Sequence, residues 1–292
     1  MVCYGSLPTM IVLLDTIPES RLSRKRINSF QQQIKRFYNE NKRDMPWRDT
    51  VDPYCILVSE FMLQQTQTER VLLKYDPFIT RFPDFQTLSR AGLKKVLAAW
   101  QGLGYNRRAI NLKETAEEII SRYSGKVPES TEELIQLPGI GKATAGAILA
   151  FVFNKPSVFI ETNIRRVFIH FFFQDKKDIQ DKEIMPLVEK TLDHENPRHW
   201  YYALMDYGTM LKKQGSNPNR KSAHYSRQAP FEGSNRQARG AILRHLLNNG
   251  TMEEYELITL LGITPLHGEK IISDLEKDGF LYRCGANVCL RT

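Results

Sequence analysis

Ile27, Phe30, Ile34 and Phe37 recur at spacings of three, four and three residues, the stripe of one amphipathic helix whose polar side carries Arg24, Lys25, Lys35 and Arg36. Similar periodicity predicts helices over about 93–100, 107–123, 130–137, 142–153, 163–173 and 198–212, with Gly102, Gly125, Pro128 and Pro138 as punctuation. Alternation with a period of two is absent before about residue 278, so the first 230 residues read as all-α.

Residues 213–235 are rich in Gln, Asn, Ser, Gly and Arg and read as a long loop or linker. Apolar groups then mark three short helices: Ile242, Leu243, Leu246 and Leu247; Tyr255, Leu257, Ile258 and Leu261; and Ile271, Ile272 and Leu275. The third ends at Asp278-Gly279, and two short β-prone runs follow around Gly285-Ala286-Asn287. Helices followed by a hairpin over residues 236–292 resemble a winged-helix module, with Lys270 and Arg283 as candidate nucleic-acid contacts.

Composition adds an electrostatic picture. The net charge of +8 is unevenly placed: residues 21–48 hold nine basic and two acidic side chains, residues 212–244 hold eight and one, and the rest is net acidic. Two cationic segments on an acidic body favour a polyanionic partner, nucleic acid before membrane. Cys3, Cys55, Cys284 and Cys289 form no ligand-like grouping and no disulfide framework. The apolar run Met10–Leu14 is too short for a signal core or a membrane span, which places the protein in a cytoplasmic, reducing setting, on the nucleoid in a prokaryote.

Three segments carry candidate chemistry. In LPGIGKATAGAI, residues 137–148, a helix ends at Leu137. Gly139 and Gly141 then allow a tight turn with exposed amides, and Lys142 and Thr144 open the next helix, a hairpin suited to a backbone phosphate. In VFIETNIRRV, residues 158–167, Glu161 lies just before a helix with Asn163 in its first turn, where an anionic carboxylate is favoured. In MPWRDTVDPYCILVSEFMLQQTQ, residues 45–67, Glu60 lies among Leu57, Val58, Phe61, Met62 and Leu63, where desolvation suits a general acid.

Together PWR…PY…SEFMLQQTQ, WQGLGYNRRAINL, LPGIGKATAGAILA and ALMDYG resemble, over roughly residues 27–212, the MutY-type adenine DNA glycosylases of the helix-hairpin-helix superfamily. The resemblance implies an all-α glycosylase fold of two helical subdomains with a cleft. A barrel over 50–157 carries the hairpin, a second subdomain combines 20–49 with 158–230, and the winged-helix-like α+β module follows. It implies a monofunctional enzyme of base excision repair that binds duplex DNA with a mismatch or lesion as a monomer and leaves an abasic site. In the lyases of the superfamily a lysine precedes the hairpin threonine; here that position is Ala143.

The resemblance assigns Glu60 as the acid that protonates the flipped base, with Glu161 and Asn163 at the sugar. Trp47, Arg48 and Asp206 are assigned to the base pocket, and Gln65 and Tyr105 to the wedge that enters the stack. Leu137, Gly139, Gly141, Lys142 and Thr144 are assigned to the phosphate clamp. Adenine opposite guanine or 8-oxoguanine is the leading substrate; thymine or uracil opposite guanine, or a catalytically inactive DNA binder, are the alternatives.

Three features depart from the family pattern. Glu161 stands where relatives hold an aspartate. The cysteine ligands of the family's iron–sulfur cluster are replaced near Lys212, Arg220, Ala223 and Ala229, so no cluster is expected, a monovalent cation at the hairpin being the one ion the reading allows. The winged-helix-like module takes the place of the NUDIX-like domain that inspects the oxidised base.

Overall fold

The computed structural model describes residues 23–215 and 217–291; Cys3, the run Met10–Leu14 and residues 20–22 lie outside the described residues. The fold is helical apart from one small sheet, and the chain divides into two compact units. One joins the residues up to Arg43 with Asn154–Ser226, and the other joins Asp44–Phe153 with the residues from Arg227 on.

The first unit holds α1 (Arg24–Asn41), α9 (Thr162–Phe172), α10 (Asp181–Thr191) and α11 (Pro197–Lys213). Of the stripe on α1, Phe30 and Ile34 are buried and Ile27 and Phe37 half-buried; Phe30 packs against the rings of Phe168, Phe171, Phe172 and Trp200 at centroid distances of 5.0–5.7 Å. Helices α9 and α11 approach so closely that a Cβ on Gly208 would sit 2.4 Å from the Asn163 carbonyl oxygen. That clash explains the glycine of ALMDYG.

The second unit begins with a short 3-10 turn, Pro46–Arg48, then α2 (Pro53–Leu63), α3 (Thr68–Arg81), α4 (Phe85–Arg90), α5 (Leu93–Trp100), α6 (Arg107–Tyr123), α7 (Thr131–Leu134) and α8 (Lys142–Phe153). Helices α2 and α8 are apolar nearly all round and pack on each other at its centre, as such helices must. Local signals set the starts: Asp52 accepts from the amides of Tyr54 and Cys55 ahead of Pro53, and Ser130 accepts from the Glu133 amide.

Sequence periodicity places α5, α6, α8, α9 and α11 to within a residue or two. It does not place α2, α3, α4 or α10; α3 and α10 each contain a proline, Pro77 and Pro186, where a breaker would be read. The helix expected over 130–137 stops at Leu134 and closes in turns, because the residue before Pro138 disfavours helical backbone.

The C-terminal residues form α12 (Asn235–Asn249), β1 (Met252–Glu253), α13 (Glu254–Leu260), α14 (Pro265–Lys277), β2 (Leu281–Cys284) and β3 (Asn287–Leu290). The sheet has the order β1-β3-β2, with Met252 opposite Val288 and Arg283 also opposite Val288 on the other side. The strand β1 has two residues, too few for any alternation to register. Tyr255, counted with the buried stripe of α13, is exposed.

Candidate active site

Glu60 lies in the last turn of α2, half-buried, with Leu57, Val58, Phe61 and Met62 fully buried around it. That helix ends at Leu63, which leaves its last carbonyls without intrahelical donors. Arg108, only 6% exposed, supplies them: its Nη1 donates to the carbonyls of Phe61 and Met62, both at 2.8 Å. Its Nη2 donates to Thr66 Oγ1 at 2.9 Å and to the Gly104 carbonyl at 2.8 Å. Burial lowers the guanidinium pKa to about 10, still well above neutrality. Arg108 therefore caps the helix of Glu60 with a cation, the sign that a helix C-terminus favours, and ties it to the loop before α6. No role was assigned to Arg108 from the sequence; its signal is a second arginine after GLGYN, at the start of an amphipathic helix.

The two wedge candidates sit in the loops that Arg108 joins. Gln65 and Tyr105 both have left-handed backbone, with φ of +54° and +47°. For residues with a Cβ this conformation is strained and concentrates at functional positions.

The hairpin is fixed to the same helix end. Gln64 Nε2 donates to the Gly139 carbonyl at 3.2 Å and to Thr144 Oγ1 at 3.5 Å, and Thr115 Oγ1 donates to the Pro138 carbonyl at 2.9 Å. Leu137 and Ile140 are buried and anchor the turn, while Gly139, Gly141 and Lys142 face outward. The two glycines do different work. Gly139 has φ of +76°, and a Cβ there would lie 2.6 Å from Asn111 Nδ2. At Gly141 a Cβ would meet nothing within 4 Å, so that position is open in the structure and free for an approaching group. The first-turn N–H groups of α8 have no carbonyls upstream and point out at this end.

Trp47 is 3% exposed and packs edge-on against Tyr75 at 5.2 Å, so its ring is part of the core of this unit, with half-buried Arg48 beside it.

In the other unit Glu161 is the N-cap of α9. Its Oε1 accepts from the amides of Asn163 at 2.6 Å and Ile164 at 2.7 Å, and its Oε2 accepts from Asn163 Nδ2 at 3.2 Å. The extra methylene relative to aspartate is absorbed by folding the carboxylate back onto its own helix. Burial pushes the Glu161 carboxyl above the usual range; the two amides, Arg166 and Arg165 pull the other way without cancelling it. The expected preference for the anion at a helix N-terminus is thus outweighed by desolvation.

Arg166, buried, extends the network by donating to Asn163 Oδ1 at 2.6 Å, the Gly208 carbonyl at 2.7 Å and Asn217 Oδ1 at 3.2 Å. Asp206, 3% exposed, accepts from the Arg43 backbone N–H at 3.0 Å and from its Nε at 2.7 Å. Sequence reasoning expects Asp206 to face a base; the structure finds both of its oxygens engaged, because a buried carboxylate needs a partner at hand.

The segment aligned with the cluster-binding loop offers no thiolate. Lys212 ends α11, Arg220 lies in a 3-10 turn over Pro218–Lys221, and Ala223 and Ala229 follow. These residues do not fit an iron–sulfur cluster. Hydrogen bonds hold the segment instead: Asn219 Nδ2 donates to the Thr162 carbonyl at 2.8 Å, and Ala223 N–H donates to Ile179 at 3.0 Å. Among the described residues no group of acids, cysteines and histidines suits a metal ion, and no helix is long and apolar enough to cross a membrane. Arg283, a candidate nucleic-acid contact, is held by Glu254 at 2.7 and 2.9 Å and by Glu276 at 2.7 Å, while Lys270 is exposed.

A helical unit built round a phosphate-suited hairpin, with an acid on the helix tied to it, defines a class. The model of the HhH-GPD superfamily of base excision DNA repair proteins matches residues 58–194, and the chain belongs to that superfamily. It is 40% identical over 194 residues to an adenine DNA glycosylase of Buchnera aphidicola subsp. Baizongia pistaciae, covering 65% of this chain and 54% of that protein. It is 30% identical over 190 residues to a thymine/uracil-DNA glycosylase of Methanothermobacter thermautotrophicus, covering 64% of this chain and 86% of that protein. The chain thus spans about half the length of the Buchnera relative. Among solved structures, a thermostable thymine-DNA glycosylase superposes with a TM-score of 0.59 at 28% identity, covering 68% of this chain and 92% of that one. An endonuclease III in a non-covalent DNA complex, at 19% identity and a TM-score of 0.57, shares the fold.

Proposed function

We propose that this protein is a monofunctional DNA glycosylase that hydrolyses the N-glycosidic bond of a base flipped out of duplex DNA, adenine before any other. The observation that carries the reading is the bond from Gln64 to Gly139, which fixes the phosphate-suited hairpin to the end of the helix bearing Glu60. A glycosylase needs that pairing: a grip on the backbone that reads no sequence, and an acid held in register with it.

In this mechanism Glu60 gives its proton to the leaving base as the C1′–N bond breaks. Water adds to C1′ of the sugar, leaving an abasic site, and its proton passes through solvent to restore the Glu60 acid. A carboxylate near C1′ stabilises the cationic sugar, the division of labour that glycoside hydrolysis uses. When ionised, Glu161 fits that part as an electrostatic group rather than an attacking one, since its oxygens already accept from Asn163 and Ile164. Ala143 puts no amine at the position that holds the lysine in the lyases, and Lys142 one residue earlier is read as a phosphate contact, so strand cleavage is not part of the proposed reaction.

The 40% identity with an adenine glycosylase supports adenine. A second reading, thymine or uracil opposite guanine, rests on the relative that this chain covers over 86% of its length. End-labelled duplexes holding adenine, thymine or uracil opposite guanine or 8-oxoguanine, treated with protein and then hot alkali, separate the two. Adenine duplexes should break, and only after alkali. Glu60→Gln should slow excision by about 10²- to 10⁴-fold, the usual contribution of a general acid, while duplex binding persists. An undiminished rate would remove Glu60 from the mechanism, and strand breaks without alkali would refute the monofunctional reading.

A further inference from the structure

A second basic cavity, of about 450 Å³, opens where α3 ends, α4 turns beside it and α5 begins. Arg81, Arg90 and Lys95 line it, and no acidic side chain does. None of the three cations has an acidic partner among the described residues. Uncharged neighbours place two of them. The Arg81 guanidinium lies 5.7 Å from the ring centroid of Phe82. Gln86 finds partners only with its side-chain oxygen toward Arg90, where it accepts from Nε at 2.9 Å and from Nη2 at 2.5 Å. Arg90 Nη1, the Arg81 guanidinium and the Lys95 ammonium make no hydrogen bond to the described residues and remain for a ligand. The nearby acid, Asp84, caps α4 by accepting from the Thr87 amide at 2.6 Å.

Helix ends account for only part of this charge. Arg81 and Arg90 lie in the last turns of α3 and α4, where a cation is favoured. Lys95 lies in the first turn of α5, at the wrong end of the dipole for a cation, and that turn holds no acid to offset it. An anion in the cavity offsets both.

The cavity lies away from the catalytic end of the unit. The Tyr54 hydroxyl, in the first turn of α2, donates to the carbonyl of Phe82, which places the cavity at the end of α2 opposite to Glu60. Arg81 and Thr68 are the two ends of α3, about 20 Å apart at the rise of a helix, and Thr68 follows the loop of Gln65. A duplex gripped by the hairpin and the wedge is therefore not the ligand. Three cations from three elements, in a space larger than one phosphate fills, suit linked phosphates. Base stacking has no place there, because Phe82, the one ring among the described lining residues, is 3% exposed.

We propose that this cavity binds a free oligophosphate, either the phosphate chain of a nucleotide or an inorganic polyphosphate. The proposal is independent of the glycosylase reading above.

Calorimetric titration of the full chain with sodium tripolyphosphate, ATP and inorganic phosphate, at one ionic strength and without magnesium, tests it. Tripolyphosphate should bind one to one and about tenfold or more tighter than phosphate, the gain from one further charged contact. Equal affinities would overturn the proposal. ATP binding more tightly than tripolyphosphate would identify the nucleotide as the source, and weaker binding the inorganic chain; either result supports the site. Arg90→Gln and Lys95→Gln, at exposed positions where folding is not at stake, should each weaken tripolyphosphate binding by about tenfold with the melting temperature and the affinity for a lesion-free duplex retained. Lys142→Gln should do the reverse, weakening the duplex and sparing tripolyphosphate. Tripolyphosphate binding untouched by the Arg90 and Lys95 variants would overturn the proposal. So would its displacement by the duplex or by a glutamate peptide of equal charge.

Discussion

Both units hold a candidate catalytic carboxylate at a helix end, and they do it with opposite charges. In the hairpin-bearing unit the cation Arg108 caps the C-terminus of α2 and leaves Glu60, one turn earlier, half-buried. In the other, the carboxylate of Glu161 is itself the cap, at the N-terminus of α9. Each charge matches the end it meets. The difference lies in what secures each helix. Glu60 is carried by a helix that something else secures, whereas Glu161 secures its own helix and has little freedom to move. A residue that must exchange a proton with a base suits the first arrangement, and one that must keep a fixed position suits the second.

Removing the two buried arginines is the strongest way to break this comparison. Arg108→Met leaves the buried Phe61 and Met62 carbonyls and the half-buried Thr66 Oγ1 without this donor, while the Gly104 carbonyl keeps the Trp100 Nε1–H. At roughly 1 kcal/mol or more for each orphaned group, stability should fall by about 3 kcal/mol. Arg166→Met orphans fewer groups, since Asn217 Oδ1 keeps the Asn219 amide and the Gly208 carbonyl lies inside α11, which leaves Asn163 Oδ1 without its donor, and should cost about 1 to 2 kcal/mol. Urea midpoints measure both; equal losses would show that the caps are not the source of the difference.

Smaller effects separate support from contact within the hairpin. Gly139→Ala meets Asn111 and a left-handed backbone and should cost about 2 kcal/mol. Gly141→Ala meets nothing and should leave stability within about 0.5 kcal/mol while weakening duplex binding, read by fluorescence anisotropy. Unaltered duplex affinity in Gly141→Ala would contradict the clamp.

The least disruptive change tests the cap of α9. Because the folded carboxyl of Glu161 is raised, the native chain holds that proton longer than the unfolded chain does. Wild-type stability should therefore decline as pH rises from the ordinary carboxylate range through the raised value. Glu161→Gln removes the titration, so its stability relative to wild type should improve steadily over that window. Parallel stability curves for the two proteins would show that burial does not govern this group.

Most of the helices were legible in the sequence because an apolar stripe one residue in three or four has few other ways to be buried. The hairpin was legible because Leu137, Gly139, Gly141 and Thr144 meet local demands of a turn and a helix start. Helices α2, α3, α4 and α10 were not; α2 is apolar nearly all round and shows no stripe, α4 is only six residues long, and in α3 and α10 packing outweighs the local cost of Pro77 and Pro186. Trp47 and Asp206 carry the right chemistry for a base pocket, and nothing local signals that one packs on Tyr75 and the other holds Arg43.

By itself, then, the sequence determined a helical chain, the hairpin, the two candidate carboxylates with Glu161 at a helix start, and the absence of thiolates where a cluster would be ligated. Each follows from residue type and short-range spacing, whereas the repair-superfamily fold was legible through the resemblance that the motifs carry together. Only the tertiary structure decided that Arg108 secures the helix of Glu60, that Glu161 caps α9, and that Arg236 of the C-terminal module reaches Tyr105. The Arg108 and Arg236 contacts join groups 46 and 131 residues apart, a separation over which sequence pattern carries no information and only packing does. Glu161 is only three residues from the Ile164 amide, and there the undecided matter was whether its longer side chain would fold back, which burial settled.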